Sequence, residues 1–257
     1  MNPSRVHLER EVTRFARNTK RGMVVLDAGA GRSPYRELFD HAQYEAADFA
    51  QLKSGYAPLD YVCDLTDIPV EDGRFDRVLF NQVLEHLPQP ADALAELYRV
   101  LKPGGRLFCS VPLFYNEHQV PYDFFRYTQF GLRRLFVDAG FKVIRLSWLE
   151  GYFGTLSYQF AMMSKHLPVR REEVRQLKLG WRIVLVWPIL LILSKLAKPL
   201  SRGFARMDVV HRYTDGGMPK NYVIVVRKPR PKQPVDGSAQ QAEESTTPAA
   251  TPVVRAG

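Results

Sequence analysis

An α/β fold with a doubly wound, mostly parallel sheet is predicted by three observations. Short apolar runs alternate with segments of helical spacing across the first 150 residues. The first such run, MVVLDAGAG over 23–31, closes in glycines, as a buried parallel strand does when it feeds a tight turn. A last apolar run, NYVIVVRKP over 221–229, returns after a long basic and apolar insertion. The chain of 257 residues, 46% hydrophobic, suits one large domain, or one domain with an insertion.

Residues 1–22 carry a leading helix, with Val6, Val12, Phe15 and Ala16 loosely spaced on one side of 6–18. The core is expected over 23–150. After its first strand, Pro34 stands where the first turn of a helix tolerates proline, and YRELF continues helically. YEAAD (44–48), YVCDL (61–65) and FDRVLFNQ (75–82) read as strands two to four. A helix across 91–101 stops at LKPGG, and RLFCSVP (106–112) is strand five. FGLRRLFVDAG (130–140) is a helix with Gly140 just past its end, and FKVIRLSWL (141–149) is strand six. Residues 151–220 form the insertion, 221–229 the final core strand. From 230 to 257 the chain is rich in Pro, Ala, Ser, Thr and Gln, too poor in large apolar groups to offset the entropy of ordering, and is expected to be disordered.

The turn Asp27-Ala28-Gly29-Ala30-Gly31 lets backbone approach a ligand closely, and a following helix would offer free N–H groups. Asp27 ends the first strand and Asp48 the second; a carboxylate in that second place accepts hydrogen bonds from both hydroxyls of a ribose. Asp64 ends the third. The two cysteines, Cys63 and Cys109, lie in apolar runs without metal-ligand spacing and read as buried thiols, so no metal is expected. The start, MNPSRVHLERE, lacks the apolar stretch of a secretory signal, which points to a cytoplasmic protein.

These features resemble the class I S-adenosylmethionine-dependent methyltransferases with a type 11-like domain. That group carries a D-x-G-x-G turn and an LEHL…E…RVLKPGG segment, and this chain has DAGAG at 27–31 and QVLEHLPQPADALAELYRVLKPGG at 82–105. The resemblance covers about 20–150 and the strand at 221–229. It implies a Rossmann-like seven-stranded methyltransferase sheet and S-adenosylmethionine as cofactor. Asp27, Gly29 and Gly31, with Ala28 and Ala30 between them, would line the methionine end, and Asp48 would take the ribose. Asp64 and Leu65 would meet the adenine, and Asn81 and Gln82 would border the sulfonium. Many members have a third glycine where this chain has Ser33, whose hydroxyl can cap the following helix. A nicotinamide fold fits less well, because Gly31-Arg-Ser33-Pro34 breaks the GxGxxG pattern. Glu85 and His86 read as structural, with His86 held by backbone groups near the pocket.

The segment NEHQVPYDFFRYT (116–128) leaves strand five at its carboxyl end, above the expected methyl donor. His118 is the natural base for an oxygen acceptor, with Glu117 or Asp123 orienting it or acting in its place. Arg126 can clamp an acidic acceptor or pair with Asp123 one helical turn away, and Tyr115, Tyr122 and Tyr127 can stack on a ring. The pattern H-x-x-P-x-D-x-x-R-Y-T is similar to one in bacterial methyltransferases linked to surface-glycan or lipid-linked sugar synthesis.

Ten basic residues lie between Lys165 and Arg206 against Glu172 and Glu173, so +8 of the net +9 is concentrated there. Ile183–Leu193 is an apolar run of eleven residues, shorter than the roughly twenty a membrane span needs, and Lys195 and Lys198 interrupt its extension. Basic flanks with Trp181 and Trp187 suit peripheral contact of 165–206 with an anionic membrane; a lid or a homodimer contact is the alternative. Nucleic acid fits less well, because the basic residues frame an apolar centre. GYFGTLSYQFAMM (151–163) is expected to be mobile and to roof the acceptor pocket. The function expected is O-methylation of a membrane-associated or lipid-linked, glycan-type acceptor. A soluble aromatic acceptor, or a non-catalytic nucleoside-binding module that anchors partners at a membrane, stands as the alternative.

Overall fold

A computed structural model describes residues 1–50 and 55–231; the tail expected beyond 231 lies outside the described residues. In chain order the elements are α1 (Pro3–Arg17), β1 (Val24–Ala28), β2 (Gln43–Asp48), β3 (Tyr61–Val62), β4 (Phe75–Asn81), α2 (Pro90–Val100), β5 (Leu101–Pro112), α3 (Gln129–Asp138), β6 (Lys142–Trp148), α4 (Tyr152–His166), α5 (Arg171–Gln176), α6 (Ile183–Val210) and β7 (Asn221–Arg227). Short 3-10 turns cover Arg36–Phe39, Leu84–His86 and Gly180–Arg182.

The strands make one seven-stranded sheet in the order β3-β2-β1-β4-β5-β7-β6, parallel except for β7, which runs antiparallel to both β5 and β6. Winding proceeds outward from β1 in one direction and then, from β4, in the other. The crevice between the carboxyl ends of β1 and β4 is therefore the switch point where such sheets bind ligands. One face buries Leu94 and Leu97 of α2 and Leu132 and Phe136 of α3 against Val78, Phe80 and Leu107. The other buries Leu8, Val12 and Phe15 of α1 against Val25, Leu79 and Phe108.

Local chemistry sets the helix starts. The Asn2 side chain accepts from the Ser4 N–H with Pro3 opening α1, and Thr128 accepts from the Gly131 N–H at the head of α3.

Six expectations need correction. The third strand shrinks to Tyr61–Val62, because only these residues pair with β2, so Asp64 sits in the turn beyond it. No α-helix follows the glycine turn. Ser33 adopts φ 47°, and its N–H donates to the Ala30 carbonyl, which closes a turn before the short 3-10 segment. The Ser33 hydroxyl caps nothing; it is buried without a hydrogen-bond partner among the described residues. The helix does stop at LKPGG, but the fifth strand starts there and not at Arg106: Leu101 already pairs with Phe75, the register shifts, and pairing resumes at Arg106. Residues 152–166 are a regular helix, and α6 runs unbroken through Pro188, Lys195, Lys198 and Pro199.

With the preceding 3-10 turn, α6 makes a 31-residue helix, Gly180–Val210, long and apolar enough to cross a membrane. At about 1.5 Å per residue that exceeds the ~30 Å hydrocarbon core. Only 6% of its apolar window is buried within the protein. Its C-terminal half packs on α4 through stacked Phe160 and Phe204, 5.4 Å between centroids, and through paired Ser157 and Ser201. Buried Asp208 then meets buried His7 of α1 at 3.0 Å.

Candidate functional site

A cavity of about 570 Å³ opens at the switch point. Six of the residues expected from sequence line it: Gly29, Gly31, Asp48, Asp64, Leu65 and Gln82. Gly29 has φ 75°, and a β-carbon there would overlap the Val83 side chain, so the turn requires glycine. Gly31 faces open space. Asp48 is buried to 7%; one carboxylate oxygen accepts from the Gly31 N–H at 3.0 Å and the other from the Ala50 N–H at 3.2 Å. These bonds fix the carboxylate at the cavity wall. Asp64 is tethered by the N–H and hydroxyl of Thr66, both 2.9 Å away. Gln82, at φ 55°, donates through its side-chain amide to the Ser110 hydroxyl.

The other four stand behind the cavity. Asp27 does not line it. Its carboxyl is buried beneath the turn and accepts a hydrogen bond from the Tyr44 hydroxyl; burial pushes it from the ordinary 3.8 up to about 7, with the Asp48 charge adding to the rise and the Tyr44 bond opposing it. Ala28 and Ala30 are buried, the Ala30 N–H bonded to the Ala47 carbonyl. Asn81 accepts from the Ser110 hydroxyl at the end of β4, away from the lining.

Cys63 is half-buried, packs against the core and also lines the cavity, its thiol pushed up to about 11 chiefly by burial. Cys109 is buried. Phe49, Val62, Val83, Leu87 and Phe124 add apolar wall. The donor set fits a nucleoside. A carboxylate at the end of β2 can meet ribose hydroxyls, and an apolar slot beside Leu65 can take a flat ring.

The loop after β5 closes one side, with Gln119, Tyr122 and Phe124 in the wall. Its expected roles change. Arg126 is no free clamp: it makes a bidentate pair with Asp123 at 2.6 and 2.8 Å and donates to the carbonyls of Tyr115, Asn116 and Phe125. That pair holds Asp123 well below the usual carboxylate range. Tyr127 cannot stack on a substrate. It is 6% exposed, its hydroxyl donates to the Leu84 carbonyl, and burial raises it above the usual tyrosine range. Glu117 points to solvent, and the carboxylate beside His118 is Asp123, which accepts from the His118 N–H at 2.8 Å and lies 3.2 Å from its Nδ1.

The sequence reads His86 and Glu85 as structural. Backbone does hold His86, whose Nδ1 meets the Tyr122 carbonyl, yet the residue lines the cavity and its ring lies 4.7 Å from that of His118. Glu85 is fully buried, its carboxyl pushed up to about 8 by burial. Adjacent residues in a 3-10 turn have no periodicity to read in a sequence, which is why this pair escapes pattern analysis.

The loop is stapled to α4. Tyr115 stacks on Tyr158 at 5.2 Å, and the Asn116 N–H donates to the Tyr158 hydroxyl at 3.0 Å. The Lys220 ammonium sits 4.8 Å from both rings.

Residues 26–109 match the model of a family described as a methyltransferase domain. Among curated relatives, the ubiquinone/menaquinone biosynthesis C-methyltransferase of Desulfotalea psychrophila is 35% identical over 97 residues, covering 33% of this chain and 39% of that protein. The ubiquinone biosynthesis O-methyltransferase of Pseudomonas paraeruginosa is 32% identical over 124 residues, covering 43% of this chain and 51% of that protein. The chain thus spans about half or less of the length of these relatives. Among solved structures, the [4+2]-cyclase SpnF aligns with a TM-score of 0.53 at 19% identity, over 87% of this chain and 82% of that one, a likeness of fold.

Proposed function

We propose that residues 26–109, which match a methyltransferase-domain family, form a class I S-adenosylmethionine-dependent methyltransferase domain, and that the protein transfers a methyl group from S-adenosylmethionine to an oxygen of a membrane-associated or lipid-linked acceptor of the glycan type. When bound, the cofactor supplies a methyl carbon activated by a sulfonium. Asp48 would hold its ribose, Asp64 and Leu65 its base, and Gly31 and Gln82 the methionine side. Displacement at that carbon is in line, so the chain's main work is to align the acceptor and exclude water. Gln119, Tyr122 and Phe124 supply that cover. Donation of the His118 Nδ1–H to Asp123 would leave Nε2 free to take the acceptor proton.

One observation carries the choice of acceptor. The loop over the cavity is bound to α4 through Tyr115 and Tyr158, and α4 is bound to α6, whose apolar length lies open beside ten exposed basic residues of 165–206. An acceptor embedded in an anionic membrane would meet the cavity mouth on that side. The relatives' names include both C- and O-methyltransferases; oxygen is favoured by the imidazole pair at the mouth.

Calorimetric titration of the donor should give saturable binding, weakened at least tenfold, about 1.4 kcal/mol, by Asp48→Ala. No binding to the wild-type chain sinks the proposal. Label from a methyl-labelled donor should enter the organic phase of a lipid extract; label confined to the aqueous phase would overturn the acceptor class. His118→Ala should lower turnover and leave donor affinity unchanged.

A further inference from the structure

Glu85 is fully buried beside the cavity, and neither of its carboxylate oxygens has a hydrogen-bond partner among the described residues. A buried polar group left in that condition is costly and calls for an explanation. The His86 Nε2 is likewise without a partner there, and it lies 3.7 Å from Oε1 of Glu85. One ligand atom from each of Glu85, His86 and His118 falls within 4.8 Å of the other two. Both imidazoles have their Nδ1 engaged by oxygen: His86 by the Tyr122 carbonyl, His118 by the Asp123 carboxylate and the Asn116 carbonyl, each 3.2 Å away. A ring that donates its Nδ1–H to a carboxylate or carbonyl keeps its Nε2 lone pair for coordination, the arrangement found around metal-bound histidines.

We propose that Glu85, His86 and His118 form a three-ligand site for one divalent transition cation at the mouth of the cavity. Two imidazoles and a carboxylate form a donor set of intermediate softness, suited to zinc, manganese, iron or cobalt. Ligand bonds of about 2.0–2.2 Å put the donors of a tetrahedral cation roughly 3.3–3.6 Å apart, so the three groups, now within 4.8 Å of one another, close by up to about 1.5 Å on binding. Three protein ligands leave a coordination position open. His86 also lines the cavity, so that position is available to an acceptor hydroxyl, which a bound cation would acidify so that its proton passes to solvent at the cavity mouth. This role rests on the methyl-transfer proposal; the binding of the cation does not. A coordinated His118 cannot also be the free base, so Asp123, locked by Arg126, becomes the group that sets the tautomer and orientation of a ligand. No spacing motif announces the site, since Glu85 and His86 are adjacent and His118 lies on another loop.

The full chain, stripped with chelator and dialysed against Zn²⁺ alone, should retain one equivalent per chain. Co²⁺ in its place should give visible absorption bands of a low-coordinate nitrogen and oxygen site. Glu85→Gln and His118→Ala should each weaken metal affinity at least tenfold. His118 is on a partly exposed loop, so its variant keeps the test valid if the buried Glu85→Gln fails to fold. Failure of the wild-type chain to retain metal, or retention unchanged in His118→Ala, overturns the proposal. Donor titration of the metal-free protein reports separately on the donor site, because none of the three ligands touches the Asp48 carboxylate.

Discussion

Asp27 contributes to stability in the direction opposite to most aspartates. Its pKa rises from 3.8 unfolded to about 7 folded, so between those values the folded chain binds more protons than the unfolded one. Its contribution is complete below about pH 4, declines as pH rises, and is lost above 7. Glu150, pushed up to about 6 mainly by burial, acts with the same sign. We expect the melting temperature to fall from pH 5 to pH 8. Asp27→Asn should flatten that slope and recover up to about 4 kcal/mol at pH 8, the free-energy equivalent of some three pKa units. Superimposable profiles would show that Asp27 titrates normally. At Gly29, alanine would need an unfavourable positive φ and space held by Val83, so Gly29→Ala should cost about 1–3 kcal/mol of stability and at least tenfold in donor affinity. The positions legible in the sequence were those that follow from strand ends, Asp48 and the glycines; Asp64 reaches the cavity from the turn beyond its strand. The roles of Arg126 and Tyr127 were not legible, because a side chain's direction depends on partners far along the chain, such as the Leu84 carbonyl.

Among the elements, strands read well wherever an apolar run was long enough to pair, and β3 did not because only two of its residues reach β2. The missing helix after β1 has a similar cause: local hydrogen bonding at Ser33 outcompeted a weak helical pattern. For α6 the sequence reads Lys195 and Lys198 as ending the apolar run of Ile183–Leu193. On a helix, however, these long side chains lie exposed beside Leu196 and Leu200 without disturbing the backbone ladder. The C-terminal end of this helix is clasped by His7 and Asp208, whose side chains are 5% and 0% exposed. Asp208→Ala should lower stability by about 2–3 kcal/mol, measured as a shift in the urea midpoint, because it strands a buried imidazole. An unchanged midpoint would mean that packing of Phe153, Phe160 and Phe204 suffices to hold α6.

For the whole molecule, the sheet order and the switch-point cavity were legible from strand alternation. What lay open was whether the insertion faces lipid, a lid position or a second copy, since the apolar stripe of Val184, Leu185, Ile189 and Ile192 suits all three. Charge separates them. Flotation on anionic vesicles should succeed at low salt and weaken at high salt; replacing Arg175, Lys178, Arg182 and Lys195 by glutamine should weaken it about 100-fold or more. Equal recovery on neutral and anionic vesicles would rule out the electrostatic part, and a dimer in vesicle-free solution would assign the stripe to a second copy.

The position of β7 has a consequence for biosynthesis. β6 pairs with β7 and with no other strand in the sheet, and β7 also completes β5. Yet β7 follows the whole of 151–220 in the chain. The ribosome must therefore deliver α6 before the sheet can close, so that this helix is available to a bilayer while the sheet is still unfinished.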